Sequence, residues 1–458
     1  MQYKVCKFGG SSVATAEKIR QVEEIIKSDE SRKYIVVSAP GESVSGEKKV
    51  TDHLKNIAKY GKHPKTKGIS EEQSKKFVED RIQMISEELG VGDSLTKALE
   101  KELHKRLKAG YPSEEEREDA IAAFGEEANA KMIAQYLSGK GMKAEYVDPK
   151  DIGFLVTEEF SNAQLLDASY QRIAKGLKDK EGMVIFPGFF GYTESGKRAT
   201  FSRGGSDLTG AILAKAMDAE VYENWTNVDG ILMADPRIVD KPELIKSITY
   251  EELRELSSNG MEVFHDEAMF PVIEAHIPTN LRNTNNPSNP GTFIFEYRDP
   301  KEDEVIVGIA IREGYANWTM RKRMMNREHR VFERVAKWFG DEGVSIDHMP
   351  SITDSISVNF EQEQLQDDAA INRITRKLRN EMGIEKIRMY WNRANIAIVG
   401  CGMVQKTGAA ARVLGALAKN GVNIETIDQG ASELSIIIGV KNEDAENAVR
   451  AIYEEFVK

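Results

Sequence analysis

The chain has little cysteine, no long apolar run and no basic excess, and each shortage excludes something. Only Cys6 and Cys401 are present among 458 residues. With no histidines clustered near them, they argue against a structural zinc site. Both fall in runs that read as strands, so buried free thiols in a reducing cytoplasm are expected, not a disulfide framework. No apolar run approaches the ~18–20 residues that span a bilayer. The first residues, with Lys4 and Lys7 between short apolar stretches, show no signal-peptide pattern. Net charge is −11, so a basic face for nucleic acid is not expected. Local basic runs such as Arg321-Lys322-Arg323 read as solvated surface. An anion would have to be bound in a focused pocket.

What is present supports ordinary folded cores. Hydrophobic residues make up 40% and charged residues 30%, and the length suggests roughly two to four domains. Residues 3–60 read strand, helix, strand, helix, with Tyr34–Ser38 as the second strand and Ala39-Pro40-Gly41 after it. Residues 61–110 are charged and helical in period, from Glu71 to Leu89 and from Ser94 to Leu107. A further helix spans 113–138. Shorter elements follow at Ala144–Val147, Gln164–Leu177 and Gly182–Phe186. This alternation predicts a mostly parallel sheet. The densest run of turn residues, Asn283 to Gly291, and the charged stretch Tyr297–Glu304 place a domain boundary at about 300.

Beyond the boundary lies an internal repeat. Arg334-Val335 through Gly343-Val344-Ser345-Ile346-Asp347 aligns with Arg412-Val413 through Gly421-Val422-Asn423-Ile424-Glu425 at a constant offset of 78. Ser357-Val358 then falls on Ser435-Ile436. The first copy ends in a strand, Ile384–Trp391. The second reaches Lys458 without one, and a ferredoxin-like βαββαβ unit needs it. Val305–Ile311 is the unassigned apolar run that can supply it. The first copy is therefore expected to be inserted within the second.

The most informative short segment is Val5–Ser12. An apolar run carrying Lys7 breaks into Gly9-Gly10-Ser11-Ser12, and Ile19, Val22, Ile25 and Ile26 then repeat with helical spacing. Backbone N–H groups at such a turn, with the helix dipole and a lysine, suit phosphate. Glycine turns also join strands to helices for geometric reasons alone. Two other glycine runs mislead. Gly191 through Gly196-Lys197-Arg198 has arginine where a P-loop needs a hydroxyl, and reads as a hairpin turning at Ser195-Gly196. Gly400-Cys401-Gly402 starts like a dinucleotide fingerprint, but Gln405 replaces the third glycine and only 56 residues remain.

A second glycine loop, Ser202-Arg203-Gly204-Gly205-Ser206-Asp207, opens another helix. Ser206 or Asp207 could simply cap it. Capping leaves unexplained Arg203, whose guanidinium can grip a carboxylate in two places. Glu126 sits in a charged helix and gains meaning only from partners elsewhere. Thr226-Asn227-Val228-Asp229-Gly230 and Met233–Arg237 read as turns after strands, where parallel sheets bind nucleotides.

Together, in this order, these segments resemble one family, the aspartokinases of the amino-acid kinase superfamily. The likeness covers nearly the whole chain. The carrying segments are Lys7–Ser12, Ser202–Asp207, Trp225–Arg237 and the 78-residue repeat, which looks like paired ACT domains. The resemblance implies an α/β amino-acid kinase fold, a mostly parallel central sheet with helices on both faces, followed by two ferredoxin-like ACT domains. The implied division is 1–300 for the kinase domain, 316–392 for the first, inserted ACT domain, and 303–312 with 393–458 for the second. The implied reaction is ATP plus L-aspartate to 4-phospho-L-aspartate and ADP, the first step of lysine, threonine and methionine biosynthesis.

By the same resemblance, Lys7 and Asp207 are catalytic. Ser38, Thr51, Glu126, Arg203 and Ser206 bind substrate: Arg203 the α-carboxylate, Glu126 the α-ammonium, Ser38 and Thr51 the β-carboxylate region. Lys7, Gly9, Gly10, Ser11, Thr226, Asn227, Leu232 and Arg237 bind ATP, with Mg2+ carried mainly by the phosphates and no metal centre in the protein. Met325, Glu328, Ser345, Ile346 and Asp347 hold a feedback amino acid, lysine alone or with threonine, and inhibition is a shift between domain arrangements. A cytoplasmic homodimer or homotetramer joined through ACT domains is implied, with no nucleic-acid or membrane partner. The chain departs from the family pattern in two places. Asn227 replaces a common aspartate. Glu262, in Gly260-Met261-Glu262-Val263-Phe264-His265, replaces a lysine expected near ATP, so Arg237 is expected to compensate. These departures are the only support for a competing reading, an amino-acid sensor with an inactive kinase domain. Against another carboxylate kinase of the superfamily stand the repeat, which most of those relatives lack, and the Arg203–Glu126 pairing.

Overall fold

The computed structural model describes residues 3–261, 266–301 and 304–457, with only the backbone of 266 and 267. Glu262 and its neighbours through His265 lie outside the described residues. The chain divides into two compact units.

The first unit contains strands β1 (Lys4–Phe8), β2 (Arg32–Val37), β3 (Ala144–Tyr146), β4 (Met183–Pro187), β5 (Phe190–Tyr192), β6 (Arg198–Thr200), β7 (Val221–Thr226), β8 (Ser247–Thr249), β9 (Thr279–Asn283) and β10 (Thr292–Phe295). Eight form one sheet, ordered β3-β4-β2-β1-β7-β9-β10-β8. Neighbours run parallel except β9 and β10. Central strands such as Tyr34-Ile35-Val36-Val37 are apolar on both faces because both are covered. The helix Ala16–Lys27 buries Ile19, Val22, Ile25 and Ile26, and Thr15 Oγ1 caps it by accepting from the Lys18 N–H at 3.3 Å. β1 lies between β2 and β7, with β4 beyond β2, so the loops leaving these four strands gather at one end of the sheet.

The charged stretch 61–110 is helical, as its period requires. The helix Glu71–Leu89 starts with a reciprocal Ser70–Gln73 cap and stops at Gly90, where φ is +67°. The helix expected over 113–138 is instead two, Glu114–Ala122 and Phe124–Gly139, interrupted at Ala123. Glu126 therefore stands in a first helical turn. β5 and β6 form the hairpin expected around Ser195-Gly196, with Gly196 at φ +83°.

The second unit contains β11 (Gly308–Arg321), β12 (Ser351–Ile352), β13 (Ser355–Glu361), β14 (Lys386–Val399), β15 (Thr426–Asp428) and β16 (Ser435–Lys441), in the order β12-β13-β11-β14-β16-β15. β11 and β14 are antiparallel ribbons of 14 residues shared by both repeats. Tyr315–Arg321 pairs with β13, while Gly308–Ile311 pairs with Val399–Ile396 and so lies beside the second repeat's first strand. The first repeat is cored by Trp318, Phe339 and Phe360, in edge contact at 5.4–5.9 Å between ring centres. The second is cored by Ile396, Ile398, Val413 and Ile438.

Two details depart from expectation, at Cys401 and at the unit boundary. Cys401 is partly exposed in a short 3-10 turn, not in a strand, because the strand ends at Val399. Gly400 and Gly402 serve packing, since a Cβ on Gly402 would lie 1.9 Å from the Glu304 carbonyl oxygen. The unit boundary is also less simple than a cut at 300. Residues 232–245 and 251–261 belong to the second unit, and the Ile309 N–H donates to the Met233 carbonyl at 2.7 Å.

Candidate active site

The site is built at the ends of the central strands of the first unit. β1 stops at Phe8, and the Gly9 N–H is held by the Trp225 carbonyl at 3.1 Å. A 3-10 turn, Gly10–Val13, precedes the helix, so the glycines do not open that helix directly. The first N–H groups of the turn have no carbonyl within it to bond. The turn is pressed against the loop after β2. A Cβ on Gly41 would lie 2.6 Å from the Gly10 carbonyl carbon, and the Gly41 N–H donates to the Gly10 oxygen at 2.9 Å. Glycine is needed there because two backbones touch.

Lys7 points from β1 to the other glycine loop. Its Nζ lies 2.6 Å from Asp207 Oδ1, and a Cβ on Gly9 would sit 3.4 Å from the same Nζ. Asp207 belongs to the helix Gly205–Ala216, whose N-cap is Gly204 at φ +73° with no side-chain cap. Ser206 and Asp207 are therefore in the first turn and do not cap it, which leaves both side chains free for the site. Ser206 packs under the loop after β4, where a Cβ on Gly188 would meet its Oγ at 2.7 Å. Arg203 is exposed on the same loop, with no ion pair among the described residues.

Glu126 carries the most informative electrostatics. It is buried, and its Oε2 has no hydrogen-bond partner among the described residues. Burial pushes its carboxyl up to about 8, against the backbone N–H groups of Ala39 and Glu126 and the charge of Lys55. A Cβ on Gly125 would lie 2.8 Å from the Ala39 Cβ, so this helix start is packed on the loop after β2. Ser38 follows β2 on that loop, and its carbonyl accepts from Asn129 Nδ2 at 2.7 Å. Thr51 opens the adjoining helix Val50–Ala58, whose Val50 N–H donates to the Pro40 carbonyl at 3.3 Å. A buried carboxylate lacking a partner is suited to an incoming ammonium.

Thr226 ends β7 and is gripped through its carbonyl by the Thr284 N–H at 2.8 Å. Its hydroxyl donates to Asn227 Oδ1 at 3.3 Å. Leu232 and Arg237 fall in the second unit. There Arg237 is paired with Asp235, Nη2 to Oδ2 at 2.5 Å, and holds that carboxyl below its ordinary range. Arg237 is thus not a cation waiting for a phosphate. No three His, Cys, Asp or Glu side chains come together as a metal cage among the described residues.

In the second unit, Met325 and Glu328 flank the 3-10 turn Met325–Arg327, ahead of the helix Val331–Gly340. Both line a cavity of about 460 Å³, together with Phe332, Ser351 and Thr353. Glu328 is ion-paired with Lys322. Ser345, Ile346 and Asp347 do not line that cavity. The Ser345 N–H donates to Gln364 Oε1 at 2.6 Å, and the Asp347 N–H to the Asn359 carbonyl at 2.9 Å. The five residues expected to hold an effector are thus divided between two places.

Sequence reasoning passed over Asn224, whose Nδ2 donates to Asp207 Oδ1 at 2.8 Å. The available signal was the polar pair Glu223-Asn224 set between Tyr222 and Trp225 in the strand Val221–Thr226. It also passed over Phe189, which holds φ +78° beside Gly205, an uncommon backbone for a bulky side chain.

Residues 2–283 match the amino acid kinase family, and residues 396–456 match an ACT domain. The chain is 41% identical to aspartokinase 3 of Bacillus subtilis over 99% of its own length and 98% of that protein. It is 32% identical to the chloroplastic aspartokinase 2 of Arabidopsis thaliana, covering 99% and 84%. The crystal structure of Clostridium acetobutylicum aspartate kinase superposes with a TM-score of 0.86 at 36% identity, covering all of both chains. Escherichia coli aspartokinase III, solved with lysine and aspartate, shares the fold at a TM-score of 0.76 and 22% identity, again covering all of both chains. The chain belongs to the amino acid kinase family and, within it, to the aspartokinases that carry a C-terminal ACT domain.

Proposed function

We propose that Lys7, Glu126, Arg203 and Asp207 carry the aspartokinase reaction in this chain, phosphoryl transfer from ATP to the β-carboxylate of L-aspartate. The nucleophile needs no base, since a β-carboxylate with an ordinary pKa of about 3.9 is ionised at pH 7. The difficulty is that an anion must approach a polyanion, so catalysis is positioning and charge neutralisation. Lys7 supplies a fixed positive charge at the transferring phosphoryl group, with Asp207 setting its position. The turn amides of Gly10 and Ser11 donate to phosphate oxygens, while Gly9, whose own N–H is held by the Trp225 carbonyl, borders the phosphates without a side chain. Arg203 grips the α-carboxylate, Glu126 takes the α-ammonium, and Ser38, Thr51 and Ser206 border the β-carboxylate.

Thr226 and Asn227 border the nucleotide in this reading. Roles for Leu232 and Arg237 rest on the family resemblance alone. Mg2+ on the ATP phosphates neutralises charge when bound. The ACT repeats sense a feedback amino acid, lysine alone or with threonine, through Met325, Glu328 and the Ser345–Asp347 segment. Assembly is a homodimer or homotetramer through ACT sheets, and the compartment is the cytoplasm. The proposed domains are 1–300, 316–392, and 303–312 with 393–458, with residues 232–245 and 251–261 of the first counted in the second compact unit.

The buried Glu126, with one oxygen left without a hydrogen-bond partner among the described residues, carries the reading, because that oxygen suits the ammonium group of a substrate. Hydroxylamine trapping of the acyl phosphate tests it. Hydroxamate should form only with both ATP and L-aspartate, and ATP consumption without aspartate-dependent hydroxamate would sink it.

A further inference from the structure

Asn224 lies beside Lys7 in the sheet. The two are register partners on the parallel strands β7 and β1 and so face the same side. Asn224 is buried. Its Nδ2 donates to Asp207 Oδ1 at 2.8 Å, the oxygen that Lys7 Nζ approaches at 2.6 Å. The Asp207 backbone is anchored as well, its carbonyl accepting from the Tyr222 hydroxyl at 3.0 Å. That anchor depends on close packing, since a Cβ on Gly210 would lie 2.6 Å from the Tyr222 ring. Glu223, on the opposite face, is occupied elsewhere with Arg32, Trp225 and Cys6.

We propose that Asn224 is a positioning residue for phosphoryl transfer, fixing Asp207 so that Lys7 is held in place without being fully claimed. An aspartate left alone with a lysine in a mostly buried place would draw the ammonium fully to itself. A second donor on the same oxygen satisfies part of that demand and locks the carboxylate rotamer. Lys7 has three N–H donors, and those not spent on Asp207 stay free for phosphoryl oxygens. A buried amide in the middle of a strand is costly unless bonded, and this one spends its donor on Asp207. The inference rests on the reading of Lys7 given above.

The test is steady-state and single-turnover kinetics of the full chain carrying Asn224→Leu, Asn224→Gln or Lys7→Ala. Asn224→Leu should lower kcat about 10- to 100-fold, the scale of one hydrogen bond to a charged group. KM for both substrates should stay within about twofold, since the effect acts through the transition state. Asn224→Gln restores an amide donor and should recover part of the loss. Unchanged kcat in Asn224→Leu, a loss confined to KM, or no recovery with Asn224→Gln overturns the inference. If Asn224→Leu does not fold, Asn224→Ser shortens the donor without adding bulk and carries the same expectation. Lys7→Ala separates the two levels. If it retains kcat, the reading of Lys7 fails and this inference with it. If it loses kcat while the Asn224 variants do not, only this inference falls.

Discussion

Binding of L-aspartate should release close to one proton at pH 7. Glu126 is buried with an oxygen that has no partner, and burial holds its carboxyl at about 8. At pH 7 roughly nine molecules in ten then carry the neutral acid. An α-ammonium placed against that oxygen supplies the missing partner, returns the carboxyl toward the ordinary range and expels about 0.9 proton. The apparent Kd for aspartate should therefore tighten roughly fifty-fold from pH 6 to pH 8 and level off above it. The substrate cannot supply this dependence, since its carboxylates are ionised and its ammonium protonated across the range. The assay is titration calorimetry at pH 7 in buffers of differing ionisation enthalpy, where the slope of observed enthalpy counts protons. Glu126→Gln should bind more weakly, with a slope near zero and a flat pH profile. A wild-type slope of zero with a Kd unchanged from pH 6 to pH 8 would refute the assignment of Glu126 to the ammonium.

Three further outcomes follow from the same geometry. Lys7→Ala should lose kcat by about two to three orders of magnitude, the scale of one preorganised charge at a transition state, with smaller changes in KM; initial rates with saturating substrates decide it. Gly41→Ala should destabilise by about 1–3 kcal/mol and lower kcat further than stability alone explains, because its Cβ would press on the Gly10 backbone at 2.6 Å; thermal melting and kinetics together show it. Glu126→Gln should stabilise the ligand-free protein as pH rises. A folded-state carboxyl near 8 lies above its unfolded value, so its penalty is absent below about 4.5, grows between 4.5 and 8, and is complete above 8. Denaturant melts of both proteins at pH 5 and pH 8.5 should diverge much more at the higher pH.

Much of the frame was legible because its signals are local. Apolar runs marked β1, β2 and β4, and the spacing of Ile19, Val22, Ile25 and Ile26 marked the first helix. The second repeat lacks a strand that Val305–Ile311 can supply, and Gly308–Ile311 is paired beside Ile396–Val399. What could not be read depends on contacts far apart in sequence. The Gly10–Gly41 approach joins two loops, and the Asp207–Asn224 bond joins a helix to a strand. Glu126 reads as a charged helical residue until the loop at Ala39 buries it. Gly400-Cys401-Gly402 only begins like a dinucleotide fingerprint, and what its glycines serve instead, the close approach of the Glu304 backbone, is a contact far away in sequence. Membership of the second unit by 232–245 was equally hidden, since it is set by pairing with Ile309.

The most direct measurement follows an oxygen atom. L-Aspartate labelled with oxygen-18 in both β-carboxylate positions is phosphorylated, and the product is cleaved with hydroxylamine at the carbonyl carbon. Attack by the β-carboxylate on the γ-phosphoryl group predicts released phosphate carrying a single label, by mass spectrometry. Phosphate without label, formed at the rate of ATP consumption, would contradict transfer to aspartate and leave the site as one for ATP hydrolysis.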